Sequence, residues 1–235
     1  MIEIAKNIFK NIDGLGINEN NDLIKTFIPK FAENKEIKIK TFDEADNVLK
    51  DKLASRDINP NSENRELTED EKEYVAKKTG WSEKQLDKCT IDSEGVIHYK
   101  CNNEDLEGKE YKDTGVYYEK KVIEYNGLKI EVVAPKFDSK FDVNLPEDLI
   151  KADNSLQFKE CNEQLKQKIE KDESLRKEFN EDQLEDIING DTPEGYTWHH
   201  DAEVGKMQLV ESKKHNAPQG GVPHTGGKSI WGGQY

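Results

Sequence analysis

Residues 122–133 read VIEYNGLKIEVV, two runs rich in β-branched side chains joined by Asn126-Gly127. Both central residues of a type I′ turn need positive φ, which Asn and Gly tolerate, and the twist of that turn suits two antiparallel strands. The middle of the chain is thereby committed to a hairpin. On either side the apolar period becomes helical. Leu23, Ile24, Phe27, Ile28 and Phe31 share one face of a helix predicted over residues 22–31. Phe158, Cys161, Leu165 and Ile169 share another, with Leu175, Phe179, Leu184 and Ile187 continuing through two shorter helices. Thr41 with Glu44, Thr68 with Glu71 and Ser82 with Gln85 have capping-box spacing, the first before a helix over 42–53 and the last before one reaching about Cys89. Gly80 and Gly190 stand where helices should stop, and VIHY at 96–99 predicts a short strand. Hairpin and helices together predict an α+β fold, with a mostly helical N-terminal module.

Charged residues (36%) outnumber hydrophobic ones (33%), so the core is modest, yet aromatic and aliphatic residues recur throughout, which argues against global disorder. No stretch approaches the roughly 18 apolar residues that span a bilayer, so no stable membrane insertion is expected. The first residues, MIEIAKNIFKNIDGLG, lack the apolar run of a Sec signal, which predicts synthesis in the cytoplasm and any export by a dedicated secretion system. Cys89, Cys101 and Cys161 form no CxxC pair and predict reduced thiols. The segment RDINPNSENREL reads as a linker, placing a soft boundary at 59–66. Three regions follow: 1–62 helical, 63–135 an α+β module holding the hairpin, and 136–235 the C-terminal domain.

A net charge of −14 disfavours broad contact with a phosphate backbone, which rewards basic surfaces through counterion release. The acidity is uneven, however. Over residues 205–235 four lysines face only Glu211, a local excess of +3.

Four of the five histidines, His199, His200, His215 and His224, fall in the last 40 or so residues, among glycine-rich turns. Imidazole serves near neutral pH both as a metal ligand and as a proton acceptor, so the concentration predicts a site. On a strand, His199 and His200 would point to opposite sides, letting one bind a metal while the other faces a substrate.

The run GYTWHH at 195–200, GKMQLV at 205–210, His215 and the HTGG at 224–227 closely resemble the WHH family of the HNH/endonuclease VII superfamily, mostly toxin domains of bacterial polymorphic and contact-dependent systems. The resemblance covers roughly residues 137–233, and the segment LTEDEKEYVAKKTGWSEKQLDKCTIDSEGVIHYK resembles the pre-toxin module that often precedes such domains. It implies a ββα-metal (HNH, His-Me finger) nuclease fold whose second strand is Met207 to Val210. It also implies one divalent ion (Mg, Mn, Zn or Ni) and hydrolysis of a phosphodiester, DNA before RNA. By the same resemblance His200 is the general base, and His199, His215 and His224 surround the metal, with His199 beside the reaction. Exchange of the roles of His199 and His200 stays open, because ring orientation is not written in sequence. Asn216 or Gln208 is a candidate to orient the base, and Lys213, Lys214 and Lys228 are candidate phosphate contacts. A toxin of this kind implies a cognate immunity protein, at least partly basic to suit the acidic body, and action in the cytoplasm of a target cell.

Other readings fit some of these residues. His98, within a strand, reads as an ordinary hydrogen-bonded residue, although with Cys89 and Cys101 it has three potential zinc ligands. Trp198 and Trp231 read as core aromatics. Two rivals to the toxin remain, a housekeeping or phage HNH enzyme and a non-enzymatic domain that the metal merely stabilises.

Overall fold

The computed structural model describes residues 64–231. The helices expected over 22–31 and 42–53 lie outside them. In chain order the elements are β1 (Arg65–Glu66), α1 (Glu69–Thr79), α2 (Glu83–Leu86), β2 (Cys89–Ile91), β3 (Ile97–Tyr99), β4 (Tyr117–Tyr125), β5 (Leu128–Lys136) and β6 (Phe141–Asn144). They continue with α3 (Asn154–Lys171), α4 (Glu173–Arg176), α5 (Glu181–Asn189), β7 (Tyr196–His200), β8 (Lys206–Glu211), α6 (Ser212–His215) and α7 (Lys228–Trp231). The fold is α+β.

Local chemistry accounts for the boundaries. The Thr68 hydroxyl accepts from the Glu71 amide, and the Glu71 carboxylate accepts from the Thr68 amide at 2.8 Å, closing a capping box that starts α1. Arg65 grips the same carboxylate with two bonds of 2.7 and 2.8 Å. Gly80 ends the helix at a φ of 77°, where a side chain would be strained. The helix capped by Ser82 stops at Leu86, short of the expected Cys89, because Cys89 pairs with Tyr99 in the sheet. The expected hairpin forms between β4 and β5, with Asn126 and Gly127 at φ of 49° and 80° and Tyr125 opposite Leu128.

The larger sheet runs β1-β2-β3-β5-β4, with β3 laid parallel to β5 so that Ile97 faces Ile130. The smaller sheet runs β6-β8-β7, fully antiparallel. Its middle strand, β8, is buried from Met207 to Val210. Cys161, Leu165 and Ile169 form the buried stripe of α3, and Trp198 donates its indole N–H to Asn162 of that helix at 2.7 Å. Trp198 and Trp231 are both buried.

The two sheets belong to one unit, since the division of the chain by contacts falls between Ile58 and Asn59. Val116, Tyr118, Val133, Phe137, Val210 and Val222 form one apolar cluster drawn from both. Residues of the larger sheet and of the helices and turns beside it also hold the segment after β8 through its backbone. Asn103 and the Tyr118 hydroxyl donate to the Pro223 carbonyl, Gln85 to Ser229, Trp81 to Ile230, and Tyr125 to Trp231. Asn102 donates its amide to the Thr225 hydroxyl at 2.9 Å. The three cysteines are buried and free, and His98 lies between Glu131 and Glu104 at 3.0 and 3.2 Å.

One close approach locks the end of this segment. A Cβ on Gly227 would sit 1.8 Å from the Asp201 carbonyl oxygen, whereas one on Gly226 would meet nothing within 4 Å. Gly227→Ala should therefore cost about 2 kcal/mol or more by overpacking against rigid backbone. Gly226→Ala should be close to neutral. Thermal melts of the two variants check this, and equal melting points would contradict it.

Candidate metal centre

Strand β7 carries Trp198, His199 and His200 opposite Leu209, Gln208 and Met207 of β8. The strand alternation sends the two imidazoles apart. His199 packs against Phe137, with ring centroids 4.8 Å apart, whereas His200 packs against Phe158 and Trp231 at 5.6 and 5.7 Å. His215 is the last residue of α6, directly after β8, and His224 lies in the segment anchored by the larger sheet. Both come back to His199, at centroid distances of 5.2 and 4.9 Å, and lie 5.0 Å from each other. One nitrogen from each of these three rings falls within 4.8 Å of the others. Phe137 contacts all three rings and gives the cluster an apolar floor.

Hydrogen bonds define the free lone pairs. His224 Nδ1 lies 2.8 Å from the Val222 carbonyl, which can only accept, so Nδ1 carries the proton and Nε2 keeps its lone pair. His215 Nδ1 meets the Asn216 amide oxygen at 3.0 Å, with the same result. Nδ1 of His199 is buried and has no hydrogen-bond partner among the described residues. A buried polar atom in that state costs about 1–3 kcal/mol unless something completes it, so the donor set fits a bound cation.

His200 is held differently. Its Nε2 lies 2.8 Å from the side-chain oxygen of Gln157, a fully buried residue of α3. The Gln157 amide nitrogen donates to the carbonyls of Leu149 and Ile150, each at 2.9 Å, which turns the oxygen toward the histidine. Nε2 of His200 must therefore donate. Its Nδ1, which makes no hydrogen bond among the described residues, is left as the basic atom.

Burial depresses the basicity of every ring in the group. It holds His199 well below the ordinary histidine range, helped by repulsion from His224, and brings His224 down to about 4. His200 also falls to about 4, through burial and then the nearby Lys228 ammonium, and burial lowers His215. All four are neutral near pH 7, the state in which imidazole binds a metal or accepts a proton.

The four histidines line one cleft of about 390 Å³, together with Lys88, Asn102 and Tyr99 of β3. Of the lysines singled out in the sequence, none lines it. Lys213 is exposed, Lys214 pairs with Glu211 at 3.1 Å, and Lys228 is buried with its ammonium 2.6 Å from Asn154. Asn216 bonds His215 and Gln208 bonds Asp142, so the partner of His200 is Gln157, 43 residues earlier and unmarked by any motif.

Residues 127–226 match the family model of the DNase/tRNase domain of colicin-like bacteriocin, less than half of the chain but including all four histidines. No curated protein and no solved structure matches. The matched family is one of nuclease toxin domains, and the match supports a nuclease, hence hydrolase, activity acting on nucleic acid. No helix among the described residues is long and apolar enough to cross a membrane.

The depressed histidines set a pH dependence. Each is neutral when folded but protonates near 6.5 once unfolded, so the unfolded chain binds more protons as pH falls below about 6.5. The stability they contribute is complete above that value and is lost as pH falls toward about 4, where His200 and His224 titrate in the fold. Metal-free protein should lose several degrees of melting temperature between pH 7 and pH 5, and His224→Asn should shrink the loss. A flat wild-type profile over that range would contradict the assignment.

Proposed function

We propose that this chain is a metal-dependent endonuclease of the HNH, ββα-metal type, related to the WHH family and acting as an antibacterial toxin on DNA. The observation that carries this reading is the convergence of His199, His215 and His224 next to a fourth histidine, His200, whose proton is pinned on Nε2 by Gln157. The order of β7, β8 and the helical turn α6 is compatible with this reading.

His199, His215 and His224 would hold the ion. When bound there, a divalent cation supplies Lewis-acid stabilisation of the scissile phosphate and of the leaving oxygen. An all-imidazole set suits zinc or nickel better than magnesium or manganese, which prefer oxygen donors. His200 Nδ1 accepts the proton of the attacking water, and the Gln157 side-chain oxygen, accepting from Nε2–H, stabilises the positive charge that stays on the ring. Phe137, Phe158 and Trp231 limit the water around these rings and keep them neutral. Three ligands leave a position for substrate, which favours an enzyme over a closed structural site. The toxin context further implies a cognate immunity protein and export to a target cell's cytoplasm.

The roles separate by mutation. His200→Ala should slow plasmid nicking by about 10² to 10⁴ while calorimetry still finds the metal bound. His199→Ala, His215→Ala and His224→Ala should each weaken the metal itself, with activity partly restored by excess ion. EDTA should stop the wild type. If all four variants nick at the wild-type rate, the site lies elsewhere. If His200→Ala loses the metal while His199→Ala keeps it and is inactive, the two roles are exchanged.

A further inference from the structure

We propose that Lys88, on the turn between α2 and β2, contacts a backbone phosphate beside the scissile one, making the larger sheet part of the nucleic-acid binding surface. The proposal rests on the nuclease reading of the histidine site. It concerns a residue well outside the matched segment 127–226.

Lys88 is the one lysine or arginine among the residues lining the cleft, and burial keeps the four histidines neutral. It lines the same cleft as they do and is exposed, so its ammonium is available to a polyanion entering there. Lys88 makes no ion pair among the described residues. Many other lysines of this acidic chain are already committed: Lys120 and Lys121 face carboxylates on β5 and in the β7–β8 connection, and Lys206 and Lys214 face Asp142 and Glu211. With a net charge of −14, an unpaired cation beside the metal-binding histidines is where phosphate attraction concentrates.

The position is also firm. The Lys88 amide donates to the Gln85 carbonyl at 3.1 Å, and its carbonyl accepts from Lys100 at 3.0 Å. Gln85 in turn reaches the Ser229 carbonyl at 2.7 Å, and Asn102 binds Thr225, next to His224. Lys88 and His224 are thus tied to a common segment, so a phosphate held at one is placed relative to the other.

The diester backbone is common to DNA and RNA, so the test uses both. In the full chain carrying His200→Ala, binding of a fluorescent DNA duplex and of a single-stranded RNA is measured across a salt series. Adding Lys88→Ala should weaken binding of the preferred polymer roughly fivefold and reduce the slope of log affinity against log salt by about 1. Lys88→Arg should preserve both. Lys84→Ala, which removes an exposed lysine of α2 outside the cleft lining, should leave the slope unchanged. Unaltered affinity and slope for Lys88→Ala would overturn the proposal, as would an equal loss for Lys84→Ala, which would signify only general electrostatics. Absence of binding to either polymer would overturn it too. Absence of binding would count against the nuclease reading as well, which wild-type plasmid nicking tests separately, whereas the other outcomes bear on Lys88 alone.

Discussion

Three imidazoles with centroids about 5 Å apart, resting on a phenyl ring, can share that space only if they stay neutral. Protonating any one would place a cation in a poorly solvated spot beside two rings that can become cationic themselves. The packing therefore selects the uncharged form and, with it, the lone pairs that a metal requires. The same burial would be a defect in an ordinary core, because it leaves a nitrogen of His199 without a partner. Much of the smaller sheet's design follows from keeping these rings close and dry.

The rings reach one another from three different kinds of structure. His199 comes from a strand, His215 from the helical turn immediately after the next strand, and His224 from an irregular segment. The first two are positioned by the β7–β8 pairing, which is local and strongly specified by burial on β8. The third has no regular element to fix it. It is instead held by the preceding part of the chain: the Asn102 amide and the Asn103 and Tyr118 side chains near His224, and the Trp81, Gln85 and Tyr125 side chains at α7. This is why the segment tolerates so little regular structure while carrying a site residue.

What could be read from the chain alone was whatever local chemistry decides. The Asn126-Gly127 turn, the Thr68–Glu71 capping box, the stop at Gly190 and the buried stripe of α3 each depend on residues within a few positions. The histidine concentration was equally legible, because four rare side chains stand close together in the sequence. Features set by distant partners were not. The parallel pairing of β3 with β5, the Gln157 contact to His200 and the presence of Lys88 at the cleft arise only when segments tens of residues apart meet. Glutamine and lysine are so common on surfaces that nothing in their spacing marks these two. The early end of α2 at Leu86 has the same origin, since a sheet partner outbids a helix extension at Cys89.

The bonds from Trp81 and Gln85 to the last turn of the described chain join residues 149 and 144 positions apart. Contacts of such sequence separation form late, because the intervening chain must lose its freedom before they return any stabilisation. Until they close, the segment bearing His224 lacks the anchors that bring it to the other two rings. A partly folded or newly emerging chain would therefore hold its hairpin and helices without an assembled metal site, and metal affinity would rise in the last folding step.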